Sequence, residues 1–492
     1  GVSAQAWGKF SATGRPSDPS MDFDDLDAQP GCRIWDIVVY GATGITGCLI
    51  VEHLDEYFQQ PGVTQRKWAI AGRSKDKLSK IAKHCKGDPG IITVESPEEL
   101  DEMAEITSVV IAAAGPYLLC GQRVVEACVK NSTHYLDVTG EIVYNRRIID
   151  AFHEKAKEKG IMIIVMVGTM SVLTDMNHYL LAKAIGPLKR SREYLCCMAG
   201  VRGGGSFYSG FSQFEHMNCT ETHLMTSPFG LGGERKCGIR EEDRDKGEAE
   251  HDPIYPAVWV STSFVGHPGV RVARRSCELF EGRPEDGIVY GEEINITSCD
   301  CTFQEGQARM NAQMAKPPED IRKIISNAAS MEDGLKKGQG GLPGHGPPRA
   351  TRAHSRSQTY AVGENEQGEW AYVEFNGPEA YEFTSIAAAV GALVLAEESD
   401  LVNSAERGGV VTPAFAFHGS NFLERISEYG WICGDGIKPR FEVKKGPLPA
   451  EVFEAGVKAV DDASKAFQKR LFAGEFATCE PPELLTGAHL AK

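Results

Sequence analysis

The 492-residue sequence has 14 cysteines but no Cys-x-x-Cys pair. Its nearest approaches, Cys196-Cys197 and Cys299/Cys301, do not have the spacing of a zinc knuckle, and the cysteines are too dilute for a disulfide framework. Cys48, Cys120 and Cys128 fall on apolar helical faces, where a thiol packs as a small hydrophobe. A reducing intracellular compartment is therefore expected, in the cytoplasm or in an organelle such as the mitochondrion or plastid. The 13 histidines form no His-x-x-x-His or His-Glu-x-x-His, so no metal site is predicted. Long apolar runs are missing too: Ile161–Leu173 and Ile386–Ala396 fall short of the ~20 residues that span a bilayer. Basic residues are in deficit, and a formal charge of −16 argues against nucleic acid or an anionic membrane as the main partner. The first residues lack the charged-then-apolar pattern of a secretory signal, and Gln5 stands where myristoylation wants Ser or Thr. Gly1 in place of methionine fits a trimmed organelle precursor and a chosen starting point equally well.

What is present has a clear texture. Residues 1–30 are rich in Ser, Pro, Gly and Asp without apolar periodicity, and read as an acidic tail or arm. From Arg33, short apolar runs ("IWDIVVY", "KWAIAG", "GIITV", "SVVIAAAG", "THYLDVTG", "GIMIIVMVG") alternate with helical patterns at Lys75–Lys83, Pro97–Ala104, Gly121–Lys130 and Ile142–Lys159. Strands apolar enough to be covered on both faces predict a doubly wound parallel sheet, an α/β fold. Beyond Gly168 the pattern loosens. "EYLCCMAGVRGGG", "PAVWVSTSFVG", "VRVARRSCELF" and "ITSCDCTF" read as strands of a mostly antiparallel sheet, interrupted by a helix near Phe207–Cys219. A strand pair turning at Glu364–Gly368 and helices at Tyr381–Ala396 and Pro449–Phe472 follow. The predicted division is a tail (1–30), a Rossmann-type domain (31–168), and a mixed α+β domain for substrate or oligomerisation (169–396). The second domain carries a mobile Gly/Pro linker at 337–357, and a segment (397–492) packs back on the first domain.

Gly41-x-x-Gly44-x-x-Gly47 resembles a dinucleotide fingerprint, but 53 glycines in this length supply roughly 0.6 such triplets by chance. Gly338, Gly341 and Gly344 repeat the spacing inside the linker. Only the first triplet lies between a strand and a helix. There Gly41 serves the tight turn, Gly44 admits the pyrophosphate and Gly47 lets the helix pack on the strand. Ile45 opens the helix, whose N-terminus attracts phosphate, and Thr43 and Thr46 add hydroxyls. At the end of the second strand Arg73, Ser74 and Lys77 stand where an NAD site would carry an acid, and a guanidinium there pairs with a 2′-phosphate. NADP(H) is the expected cofactor. Ala114, Gly115, Pro116 and Tyr117 leave room for ribose and nicotinamide; Tyr117 reads as a cofactor or substrate contact, a weak candidate proton donor, or a packed loop tyrosine. Asp137, Thr139, Gly140 and Glu141 fall on the same carboxyl edge of the sheet, with Glu141 reading equally as a helix-start acid.

These motifs, together with "AAGPYLLCGQRVVEACVKNSTHYLDVTGE", "GGVVTPAFAF", "LERISEYG", "VRGGGSFYSGF", "VRVARRSCEL" and "NGPEAYEFTSIAAAV", resemble the saccharopine dehydrogenase-like oxidoreductases, a group that includes the trans-acting enoyl reductases of lipid biosynthesis. The resemblance runs from about Arg33 to Gly430. It implies an NADP(H)-dependent oxidoreductase with its active site between the domains, acting on a small or lipid-derived carbonyl, imine or enoyl substrate, not necessarily saccharopine. It also permits peripheral association with membranes or lipid droplets. One loop departs from the family's Gly-Phe-Asp-Ser-x-Pro-x-Asp: here it reads Gly168-Thr169-Met170-Ser171-Val172-Leu173-Thr174-Asp175, without the first carboxylate and the proline. Ser171, Asp175, Arg275 and Ser276 join Thr139 and Glu141 as candidate pocket residues, with a structural ion pair as the other reading of Arg275. The altered loop and the acidic tail keep an alternative open: a non-catalytic Rossmann-fold subunit of a larger assembly, in an organelle or elsewhere. The partners expected are the substrate and either a larger complex or further copies of the chain.

Overall fold

The computed structural model describes residues 33–197, 203–263, 266–315, 344–398, 405–429, 437–475 and 479–482. The arm at 1–30 and residues 337–343 of the linker lie outside them.

The first half alternates strand and helix: β1 (Trp35–Tyr40), α1 (Ile45–Phe58), β2 (Trp68–Gly72), α2 (Lys75–Ala82), β3 (Gly90–Thr93), α3 (Pro97–Glu105), β4 (Thr107–Ala112), α4 (Tyr117–Lys130), β5 (His134–Asp137), α5 (Ile142–Glu158) and β6 (Met162–Ile164). Side chains of a strand point alternately to the two faces of its sheet, and β1 shows the result. Ile37 and Val39 join one buried cluster with Ile50 and Leu54 of α1, whereas Val38 joins another with Val125 of α4 and Ile148 of α5. Both faces are dry, which is why these strands read as continuous apolar runs.

The second half contains α6 (Thr169–Ile185), β7 (Leu188–Cys197), α7 (Gly204–His216), α8 (Cys219–Thr226), β8 (Ala249–His251), β9 (Trp259–Thr262), α9 (His267–Glu281), β10 (Asn295–Thr302), α10 (Glu305–Ala315) and α11 (Arg349–Arg352). It continues with β11 (Arg356–Asn365), β12 (Trp370–Pro378), α12 (Ala380–Glu397), β13 (Gly409–Val411), α13 (Pro413–Ala416), α14 (Phe422–Tyr429), β14 (Arg440–Lys445) and α15 (Ala450–Phe472).

The first sheet is parallel, in the order β13-β6-β5-β4-β1-β2-β3, the Rossmann order with one extra edge strand. The second runs β14-β12-β11-β7-β10-β9-β8 and is mixed, since β10 pairs parallel with β7. The fold class is the expected one: a Rossmann-type sheet followed by a mixed domain. A helix of 18 residues, α12 is long and apolar enough to cross a membrane, yet 72% of it is buried inside the protein, against α1 and the first sheet.

Three expectations are corrected. "VRVARRSCELF" is not a strand but the body of α9. Its valines and arginines mimic a period of two, yet Pro268 starts a helix. Val270, Ala273 and Phe280 then recur at helical spacing in the core. The described part of the 337–357 linker is packed rather than mobile, with Gly346, Pro347, Pro348, Thr351 and Arg352 buried. The segment 397–492 does not return to the first domain as a unit. β13 extends the first sheet, but β14 is an edge of the second, and Phe453, Val457 and Val460 of α15 pack on its outer face.

Candidate functional site

The carboxyl edge of the first sheet carries the turn after β1. Gly41 adopts φ +85°, and a Cβ there would stand 2.8 Å from the Cβ of Ala114, at the end of β4. Gly47 packs closer still, since an added Cβ would lie 2.2 Å from the Gly41 carbonyl oxygen. Gly44 is different. Its added Cβ would meet the Gly41 carbonyl oxygen at 3.7 Å and Gly344 Cα at 4.0 Å, ordinary contacts, so this glycine faces the Gly344 segment rather than the strand. Gly44 begins α1 without a side-chain cap, leaving the helix's first N–H groups to other acceptors. Thr43 and Thr46 are half-buried beside it, and Ile45 is buried.

At the end of β2, Ser74 caps α2 by accepting from the Lys77 N–H at 3.5 Å. Arg73 and Lys77 are exposed. Arg73 makes no hydrogen bond or ion pair among the described residues, so its guanidinium is available to a dianion. Ala114 and Pro116 are half-buried and Gly115 is exposed. The cradle that a Cβ would fill and the free guanidinium beside it fit an NADP(H) diphosphate and 2′-phosphate.

Tyr117 does not point into this opening. It is 5% exposed, donates from its hydroxyl to the Ala112 carbonyl at 2.8 Å, and its ring lies 5.7 Å from that of Tyr144. Burial holds its pKa well above the usual phenol range. A proton-donor role therefore has no geometric support. Glu141 stands before α5, but its carboxylate serves a different helix, accepting from the N–H groups of Tyr117 (2.9 Å) and Leu118 (2.7 Å) at the start of α4. The Ser209 hydroxyl of α7 lies close enough to this carboxylate to hold its pKa down against the rise that burial causes. Thr139 is buried and accepts from the Glu141 N–H at 3.1 Å. Asp137 accepts from the Tyr135 hydroxyl and the N–H groups of Thr139 and Met166, with burial pushing its pKa up to about 7.

The departing stretch Gly168–Asp175 is no loop; it is the first two turns of α6. The Thr169 N–H donates to the Thr384 hydroxyl at 3.0 Å, and its own hydroxyl to the Ala380 carbonyl. Leu173 is a core residue, and Ser171 is 3% exposed. Asp175 is fully buried and accepts from the Ser276 hydroxyl at 2.5 Å and the Ala414 N–H at 2.8 Å; Ser276 also meets the Thr412 hydroxyl at 2.6 Å. Arg275 donates to the carbonyls of Val410 (2.9 Å) and Leu231 (3.3 Å). Asp175, Arg275 and Ser276 are therefore struts between α6, α9 and the β13–α13 corner, not pocket residues.

Over the opening lie residues the sequence reading missed. Ser209 stands over Gly115: a Cβ on that glycine would lie 3.2 Å from its hydroxyl. The Tyr381 hydroxyl accepts from the Gly203 N–H and bonds to the Ser206 hydroxyl, both at 2.7 Å. Gly203 starts α7 without a side-chain cap, as Gly44 starts α1. The only signal in the sequence was the run Gly203-Gly204-Gly205 before a helix.

Comparison with known proteins agrees with this geometry. Residues 37–164 match the family model of the saccharopine dehydrogenase NADP binding domain. A trans-acting enoyl reductase of Mycobacterium tuberculosis is 29% identical over 440 residues, covering 82% of this chain and 98% of that protein. Its namesake from Mycobacterium ulcerans is 26% identical over 432 residues, covering 81% and 97%. Among solved structures, an apo saccharopine dehydrogenase (L-Glu forming) from Saccharomyces cerevisiae is 11% identical, with 83% of this chain and 100% of that chain covered at a TM-score of 0.45. Residues 37–164 are thus similar to a saccharopine dehydrogenase NADP binding domain, and NADP(H) is the cofactor that this domain takes. Among curated proteins, trans-acting enoyl reductases are relatives over nearly their whole length.

Proposed function

We propose that the protein is an NADPH-dependent reductase of an enoyl group on a lipid-derived substrate. The observation that carries this reading is the cradle at Gly41–Gly47 with an Arg73 that has no partner among the described residues, in a chain of which 82% aligns with 98% of a trans-acting enoyl reductase. NADPH, when bound, supplies the hydride. The protein's own part is to bind and orient. The turn and the α1 N-terminus hold the diphosphate, Arg73 holds the 2′-phosphate, and the small residues Ala114 and Gly115 let the nicotinamide end lie against the backbone. Ser209, above Gly115 and near the Glu141 carboxylate, is the protic group this arrangement sets over the reacting end.

The test is to mix the purified protein with NADPH and 2-enoyl thioesters of graded chain length. NADPH consumption with the saturated acyl product seen by mass spectrometry is the expected result. Turnover only with carbonyl or imine substrates would overturn the enoyl assignment. NADPH binding without turnover on any of the three would favour the non-catalytic subunit, a reading supported by the closed packing of Asp175 and Ser276 at the altered junction.

A further inference from the structure

Two helix starts meet one short segment. The Ile45 N–H, first of α1, donates to the Gly344 carbonyl at 3.0 Å, and the Gly204 N–H, first of α7, donates to the next carbonyl, that of His345, also at 3.0 Å. The fit is close. A Cβ on Gly346 would stand 2.7 Å from Ile45 Cγ1, and a Cβ on Gly44 would point to within 4.0 Å of Gly344 Cα. Gly344 adopts φ +87°, which suits glycine alone. Behind these residues the segment is anchored. Gly346 exchanges backbone hydrogen bonds with Glu480 at 3.0 and 2.9 Å. The Pro347 carbonyl accepts from Arg352, which is itself paired at 2.7 Å with the buried Glu382. The neighbouring His53 and the Arg352 guanidinium carry the Glu382 pKa down to about 2 although burial opposes its charge.

A helix N-terminus that follows a glycine turn is where a dinucleotide fold places its phosphates. We propose that Gly344–Gly346 is an internal strap that occupies the diphosphate position of the NADP(H) site, so that the cofactor gains the Ile45 N–H only by displacing it. The proposal rests on the cofactor reading above. The exchange is physically reasonable in both directions. A carbonyl oxygen is a neutral acceptor, and a charged phosphate oxygen makes hydrogen bonds roughly twice as strong. The Pro347–Arg352 anchor gives the strap a fixed point to swing from and return to. Cofactor affinity is then set by a competition within the chain.

Gly346→Val, which sets bulk against Ile45, tests this. It presses the strap away from Ile45 and leaves the sequence of the Gly41–Gly47 turn unchanged. The expected result is NADPH binding roughly tenfold tighter than the parent, the equivalent of about one net hydrogen bond, measured by fluorescence titration. A second measurement needs no variant: hydrogen–deuterium exchange of the parent with saturating NADPH. The Gly346 and Glu480 amides should lose protection while Ile45 keeps it. Equal or weaker binding by the folded variant, with unchanged exchange at Gly346, would overturn the strap and leave the cofactor site standing. Failure of both proteins to bind NADPH would overturn the cofactor reading and the competition with it. Binding by the variant alone would be the strongest form of the expected result.

Discussion

The turn at Gly41–Gly47 and the helix start at Gly168–Asp175 lie on the same edge of the same sheet, each beginning a helix at a glycine without a side-chain cap. The first keeps its polar capacity facing outward. Gly44 has only the Gly344 segment across from it, and Arg73 makes no hydrogen bond or ion pair among the described residues. The second spends that capacity inward, on Thr384, Ala380, Ser276 and Ala414. The difference separates two kinds of buried or half-buried polar residue. At the turn the Ile45 N–H is held by a single carbonyl, that of Gly344, whereas the polar residues at the junction hold α6, α9 and α13 together. A substitution should therefore damage binding at one place and stability at the other.

The largest expected effect is on the junction. Asp175→Ala deletes the carboxyl group that meets the Ser276 hydroxyl and the Ala414 N–H, and should lower stability by about 3 kcal/mol in chemical denaturation, leaving NADPH affinity unchanged. Its pH dependence gives a sharper check. Burial raises the Asp175 pKa to about 7, so the folded protein holds this proton more tightly than the unfolded chain. The group's contribution to stability is fully present below the ordinary carboxyl pKa of ~3.9 and is lost as pH rises towards about 7. The variant should show a flatter stability profile across that window. An unchanged profile would mean that Asp175 is ionised in the native state.

Next in size, Arg73→Ala should weaken NADPH roughly tenfold, or ~1.4 kcal/mol, leaving NADH affinity and the denaturation midpoint as they were. Equal losses for both nucleotides would remove Arg73 from the 2′-phosphate. The smallest effect belongs to Tyr117→Phe, which deletes one buried hydrogen bond to Ala112 and should cost about 1 kcal/mol of stability with no change in turnover. A turnover loss well beyond that stability change would return Tyr117 to the chemistry and blur the contrast.

The parallel sheet was legible because each strand from β1 to β6 is apolar on both faces, and the intervening helices keep their own period. The cradle was legible for the same reason: Gly41–Gly47 is local, and its strand and helix flank it directly. What escaped is non-local or compensated. Arg274 and Arg275 of α9 are buried with the carbonyls of Pro228, Leu231, Ile296 and Val410 receiving them, and Arg271 with Asp245 beside it; no local pattern announces such partners. Asp175 and Ser276 meet across a hundred residues, so their types suggested a pocket when their contacts make a strut. Gly344 was the decoy glycine of a Pro-rich linker. Its place against Gly44 depends on a contact three hundred residues long, which composition does not encode.

The first sheet also depends on chain that comes much later. Residues of α12 such as Phe383, Ile386 and Val390 cover the face shared with α1, and β13 pairs with the edge of β6 through Val410. During synthesis, the nucleotide-binding half emerges from the ribosome with one face only partly covered and one edge bare, and stays so until about residue 411 has followed. An exposed apolar face beside an unpaired edge strand invites association with other chains. A fragment cut at residue 168 would keep every cofactor-contacting residue yet behave as a sticky folding intermediate, so the smallest self-sufficient unit is set by Val411, not by the last residue of the motif.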